Sequence, residues 1–148
     1  MTDKNLLVIT PHRKEPGKQR IAAYCRVSSR SDEQLNSLTN QINFYRSLFE
    51  NDDTVVFVGI YAEEGLSGTQ AESRPQFMKM IEDCRSGLID CIRTKSVSRF
   101  GRNTVDTLIY TRELRSLGID VFFEKENIHS TESSGELMLT LMAAFAES

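Results

Sequence analysis

Long apolar runs are missing from this chain of 148 residues. None approaches the ~20 residues that a helical membrane span requires. The opening stretch, MTDKNLLVITPHRKEPGK, lacks the extended apolar core of a secretory signal. Cysteine is scarce. Cys25, Cys84 and Cys91 are odd in number and form no C-x-x-C pair, so they read as reduced thiols of a cytosolic protein rather than a disulfide frame or a zinc site. His12 and His129 are the only histidines. Neither has a partner at ligand spacing, and His129 is expected to be a plain loop residue. No pair of acids has a metal-binding spacing either. The GLSG segment is followed by no G-K-[ST], which excludes a nucleotide P-loop. Internal repeats and low-complexity segments are also lacking.

What is present suits one compact domain. Hydrophobic residues make up 39% and charged residues 26%, a globular balance. The net charge of -3 argues mildly against nucleic-acid binding by the whole chain, but the charge is unevenly spread. Arg13, Lys14, Lys18, Arg20, Arg26 and Arg30 face the single acid Glu15 within residues 11–30. Arg93, Lys95, Arg99 and Arg102 lie together without an acid. The plain alternative is a pair of solvated basic stretches.

Residues 1–18 are expected to be a flexible lead-in. Residues 20–27 read as a buried strand. Ser31 and Asp32 can start a helix whose stripe is Leu35, Leu38, Ile42, Tyr45 and Phe49, at helical spacing. Residues 54–61 form an apolar run that suits a strand covered on both faces. After a glycine-containing loop, Pro75 sits at a helix start, with Phe77, Ile81 and Cys84 inward and Gly87 at the end. Residues 88–94 are a third strand. Asn103 caps a helix lined by Leu108, Leu114 and Leu117 and closed by Gly118. Residues 119–123 are a fourth strand. Ser133 and Glu136 have capping-box spacing before Leu137, Leu141 and Met142, opening a last helix. Alternating strands and helices predict an α/β fold, a mostly parallel central sheet with helices on both faces. Ligand sites in such sheets lie beyond the carboxyl ends of the strands.

Three features fall at that end: Arg26 to Ser28, the loop 63–74, and Ser98 to Arg102. Strand alternation is expected to put Arg26 and Ser28 on one face. Arg99 and Arg102, three apart at an expected helix start, would share a face where the helix dipole also favours an anion. Guanidinium forks bind phosphate bidentately, so an anion is expected between Ser28, Arg26, Arg99 and Arg102. The plain alternatives are an ion-paired arginine, a capping serine and a solvated helix start. A hydroxyl nucleophile among arginines, without an evident metal, fits phosphoryl transfer run by positioning and charge.

Three motifs in order carry a family resemblance. They are Tyr24-Cys25-Arg26-Val27-Ser28, Glu64-Gly65-Leu66-Ser67-Gly68 with Arg74-Pro75, and Lys95-Ser96-Val97-Ser98-Arg99-Phe100-Gly101-Arg102-Asn103. From about Ile21 onward the chain resembles the catalytic domain of the serine recombinases, the resolvase–invertase superfamily. The SRFGRN form and the GLSG loop look most like the large branch of integrases and transposases. The resemblance implies that Ser28 is the nucleophile and that Arg26, Arg99 and Arg102 contact the scissile phosphate. Arg74 and Ser67 support them. Gln41 matches a first-helix glutamine near the site, and Glu63 stands in place of an aspartate. Ser98 stands where small resolvases carry an aspartate. Arg93 occupies a strand position usually apolar in the family, where it is expected either to weaken the domain or to alter the site.

By the same resemblance the reaction is transesterification through a 5′-phosphoserine link, followed by strand exchange and religation, with no cofactor. DNA is the partner, together with a homodimer and a synaptic homotetramer of the full-length protein, in a cytoplasmic setting of bacterial or mobile-element origin. Residues 19–148 are then expected to be a catalytic domain truncated within a long helix, before the DNA-binding parts, and inactive alone. Two other readings fit the same residues: a metal-independent phosphodiesterase or nuclease, and a non-catalytic α/β module that binds an anion or a protein.

Overall fold

The computed structural model describes residues 17–29, 31–64 and 74–147. The expected lead-in up to residue 16 and Ser67 therefore lie outside the described residues. The strands are β1 (Gln19–Arg26), β2 (Val55–Glu63), β3 (Cys91–Thr94), β4 (Asp120–Phe123) and β5 (Ile128–His129). The helices are α1 (Asp32–Phe49), α2 (Pro75–Arg85), α3 (Val97–Phe100), α4 (Thr104–Ser116) and α5 (Ser133–Glu147). The sheet runs β2-β1-β3-β4-β5, parallel except for β5, which pairs antiparallel with β4. The expected α/β fold with a mostly parallel sheet is what forms.

Local chemistry explains most of the element ends. The Ser31 hydroxyl accepts the Gln34 N–H, and the Asn103 side chain accepts the Asp106 N–H at 2.8 Å. Pro75 opens α2, where its missing N–H costs nothing. Gly87 (φ 79°) and Gly118 (φ 77°) take the left-handed conformation just after α2 and α4.

Strand β1 is central, and its alternation splits the core. Ala22 and Tyr24 join Phe77, Met80, Phe100, Leu114 and Phe123 on one side. Ile21, Ala23 and Cys25 join Leu38, Tyr45 and Phe49 of α1 on the other. This arrangement delivers the ends of β1 and β3 side by side at one rim of the sheet.

The apolar run expected as a strand covered on both faces is β2: Val58 and Tyr61 pack into the core on one side and Ile60 on the other, under α2 and α1. β2 is an edge strand whose Val55, Val56 and Phe57 are half-buried. Its register with β1 slips after Ile21, leaving Val58 as an extra residue before Gly59 (φ 150°). Three expectations, on Leu117, Ser133 and His129, need correcting. Leu117 is exposed and follows α4, because the inner line of that helix ends at Leu114. Ser133 is the first residue of α5, since the Glu136 N–H already bonds the Glu132 carbonyl. Finally, β5 contains His129, which is no plain loop residue: its Nδ1 lies 2.5 Å from Asp120 Oδ2.

Candidate active site at the carboxyl rim of the sheet

Arg26 is the last residue of β1, and its guanidinium spans to the segment after β3. Nε donates to the Arg99 carbonyl at 3.0 Å, and Nη2 donates to the carbonyls of Ser98 at 2.7 Å and Gly101 at 3.3 Å. Burial lowers its pKa from the ordinary value. The positive charges of Arg74 and Arg99 act the same way, against Tyr24 and Glu63. Arg74, at the cap of α2, reaches the same segment from the other side. Its Nη1 donates to the Phe100 carbonyl and its Nη2 to Asp106 Oδ2 at 2.6 Å, while its carbon centre stacks 3.8 Å above the Phe77 ring. Two guanidiniums thus take the four consecutive carbonyls of residues 98–101.

Gly101 is required there by close approach. A Cβ on it would lie 1.7 Å from the Thr107 Oγ1 of α4. The glycine also separates α3 from α4, so Arg99 and Arg102 do not share a helix face as expected. Arg99 sits in α3, half-buried. Arg102 precedes the Asn103 cap, and its side chain is 38% exposed. Asp106 organises this corner. It accepts Arg102 N at 3.0 Å and Arg102 Nη2 at 3.1 Å as well as Arg74.

Ser28 lies two residues beyond the end of β1, in a bend, so the expected common strand face with Arg26 does not exist. Its hydroxyl is exposed and donates to Gln34 Oε1 of α1 at 3.4 Å. Gln41 is buried, and its Nε2 donates to the Arg26 carbonyl at 3.3 Å, tying α1 to the end of β1. With Phe44, Tyr45, Lys95 and Glu124 it also lines a groove of about 580 Å³. Glu63 is buried at the end of β2, opposite Arg26 in register. It accepts the Tyr24 hydroxyl at 2.5 Å and the Gln76 N–H at 2.9 Å. Burial first, then the Glu63 carboxylate, push the Tyr24 hydroxyl pKa up.

The structure therefore brings Arg26, Arg74, Arg99 and Arg102 into one network with Ser98 and Gly101. Gln41 joins it from α1 through the Arg26 carbonyl, Glu63 lies opposite Arg26 on β2, and Ser28, two residues past Arg26, is exposed. Sequence reasoning missed Tyr24 and Asp106. Tyr24 was legible from alternation, two residues before Arg26, and Asp106 from its i,i+4 spacing after Arg102. Arg93, whose effect on the domain is left open by the sequence, has partners in the fold. It pairs with Glu124 at 2.9 Å and lies over the rings of Phe122 (4.3 Å) and Phe49 (5.2 Å). Among the described residues no cluster of three metal-ligating side chains forms, and no helix is long and apolar enough to cross a membrane. Chemically, the corner offers guanidiniums on a segment held through its own carbonyls, which suits an anionic, phosphate-like group.

Comparison with known proteins places the fold in a family. Residues 21–148 match the family model described as the resolvase N-terminal domain. The transposon Tn552 resolvase of Staphylococcus aureus is 33% identical over 126 residues, 84% of this chain and 56% of that protein. The Tn552 DNA-invertase BinR of the same organism is 38% identical over 84 residues, 55% of this chain and 42% of that protein. The chain thus spans about half the length of these relatives. Among solved structures, a resolvase family site-specific recombinase from Streptococcus pneumoniae superposes with a TM-score of 0.74 at 30% identity, over 88% of this chain and 87% of that one. The N-terminal catalytic domain of TP901-1 integrase superposes with a TM-score of 0.62 at 27% identity, over 87% and 95%.

Proposed function

The chain belongs to the resolvase family, whose N-terminal domain its residues 21–148 match, and on that premise we propose that it serves site-specific DNA recombination with Ser28 as nucleophile. Ser28 Oγ attacks the phosphorus of a DNA phosphodiester. A Ser–O–P bond to the 5′ side forms as the P–O3′ bond breaks, and the hydroxyl proton ends on the departing 3′ oxygen. Reversal on an exchanged strand reseals the DNA. One phosphoester replaces another, so no cofactor has to supply energy, and no metal enters the proposal. Arg99 and Arg102 stabilise the charge that develops on the phosphoryl oxygens. Arg26 and Arg74 hold the segment that presents them.

The single observation that carries this reading is the segment bearing Arg99, pinned through four carbonyls by Arg26 and Arg74, with the exposed Ser28 two residues beyond Arg26. Residues 19–148 are, in this proposal, the catalytic domain of a longer recombinase, in keeping with relatives of which the matched segments span 56% and 42%. DNA is the partner, and subunits associate through α5. Leu137, Leu141 and Phe145, four residues apart on that helix, are 60%, 51% and 74% exposed.

The test is covalent capture on a nicked half-site DNA by the full-length protein. Wild type should yield a protein–DNA adduct and Ser28→Ala none, in excess chelator as well as without it. An adduct that survives Ser28→Ala removes Ser28 from the role. Cleavage followed by hydrolysis instead of resealing would indicate a nuclease.

A further inference from the structure

We propose that Asp106 is a positioning residue for the cleavage step, acting through Arg102; this rests on the recombinase reading above. The carboxylate is buried at 7% exposure, and its two oxygens are divided between two arginines. Oδ2 accepts Arg74 Nη2 at 2.6 Å and Arg102 N at 3.0 Å, while Oδ1 accepts Arg102 Nη2 at 3.1 Å. The two arginines differ in kind. The Arg74 side chain is 6% exposed and anchored a second time on the Phe100 carbonyl. The Arg102 side chain is 38% exposed and, in the recombinase reading, is the one offered to the phosphate. Asp106 therefore transmits the rigidity of a buried group to an exposed one. Its own N–H is fixed by Asn103 at 2.8 Å, so the carboxylate is held from its backbone as well.

The physical gain is preorganisation. A loose arginine samples many rotamers and must be ordered as the phosphate reacts. Holding its backbone N–H and one Nη beforehand removes that cost from the barrier. The attraction of the carboxylate also lowers the positive field that Arg102 offers a DNA phosphate in the ground state. The effect should consequently appear in the rate of cleavage more than in affinity for DNA.

The experiment is a double-mutant cycle in the full-length protein, reading single-turnover adduct formation on nicked half-site DNA at saturating DNA, with DNA affinity measured alongside. Asp106→Asn should slow cleavage about tenfold in the wild-type background. It should shift the Kd for DNA by less than about twofold. In an Arg102→Ala background the same substitution should add less than about twofold, because its route is already gone. Equal slowing in both backgrounds would mean that Asp106 only supports the fold, and the proposal fails. If Asp106→Asn does not fold by circular dichroism, Asp106→Glu keeps the charge opposite Arg74 and carries the same cycle with the same two outcomes. Failure of the parent reading looks different: adduct formation would then be unaffected by Ser28→Ala and Arg102→Ala alike.

Discussion

Two ion pairs in this domain have the same N–O distance and opposite surroundings, which makes them a test of where charge matters. Arg74 and Asp106 meet at 2.6 Å with side chains 6% and 6% exposed. Arg85 and Glu113 also meet at 2.6 Å, with side chains 40% and 31% exposed. Arg74→Ala leaves the Asp106 carboxylate buried with only the half-exposed Arg102 to compensate it. It also strips the Phe100 carbonyl of a donor and removes the cation stacked on Phe77. Removing one partner of a buried pair costs about 3–5 kcal/mol, and the remaining Arg102 puts this case near the lower end, about 3 kcal/mol. Arg85→Ala should barely move the unfolding midpoint, since water replaces the lost partner on both sides. Urea unfolding followed by far-UV circular dichroism, with slopes compared to confirm two-state behaviour, measures both. If Arg74→Ala costs under about 1 kcal/mol, or if the two variants lose equal stability, burial is not what gives this network its strength.

Gly101→Ala should destabilise the domain by about 1–3 kcal/mol, because its Cβ meets the Thr107 Oγ1 at 1.7 Å and the Thr107 backbone behind it; a urea midpoint equal to wild type would show that α4 yields freely. The three thiols should be inert to a disulfide reagent at pH 8 in the native protein and react on unfolding, since burial pushes Cys25, Cys84 and Cys91 up to about 12; rapid native labelling would contradict the packing. Burial alone would raise the Asp120 pKa, but hydrogen bonds from His129 and Thr131 outweigh it and hold it below the ordinary value. A carboxyl depressed in the fold stabilises above its unfolded pKa, and that contribution is lost as pH falls through the folded pKa. Asp120→Asn should therefore lose stability at neutral pH and show a shallower decline between about pH 5 and pH 2; parallel stability-against-pH curves for the two proteins would refute this.

The frame of the fold was legible because its signals are local. The stripe of α1 behind Ser31, Pro75 at the start of α2 and the glycines closing α2 and α4 each state their element within a few residues. The position of β2 was not legible, since an apolar run reads alike in the middle of a sheet and at its edge. Nor were β5 and α3, which are too short to show a period. At the site, residue identity was easier to read than role. Arg26 and Arg74 look from sequence like phosphate ligands. In the fold both donate to backbone carbonyls of residues 98–101, and Arg74 also to Asp106, partners that come from elsewhere in the chain. The reason for Gly101 lies in the approach of Thr107, a contact that no spacing rule encodes. Asp106 and Tyr24, by contrast, sat at periodic offsets from residues already singled out.

The irregularity in β2 bears on how this domain behaves at high concentration. Among the described strands, none pairs with the outer side of β2, which leaves a row of backbone donors and acceptors facing outward. Such a row invites strands from other molecules to add on, and the apolar VVFV stretch would reward the first to do so. The extra residue Val58 and the unusual backbone of Gly59 interrupt the row, splitting it into the short runs 55–57 and 59–63 and twisting one against the other. An incoming strand can match one run but not continue into the next. The same slip that disturbs the pairing of β1 with β2 thus makes the outer edge a poor template for aggregation.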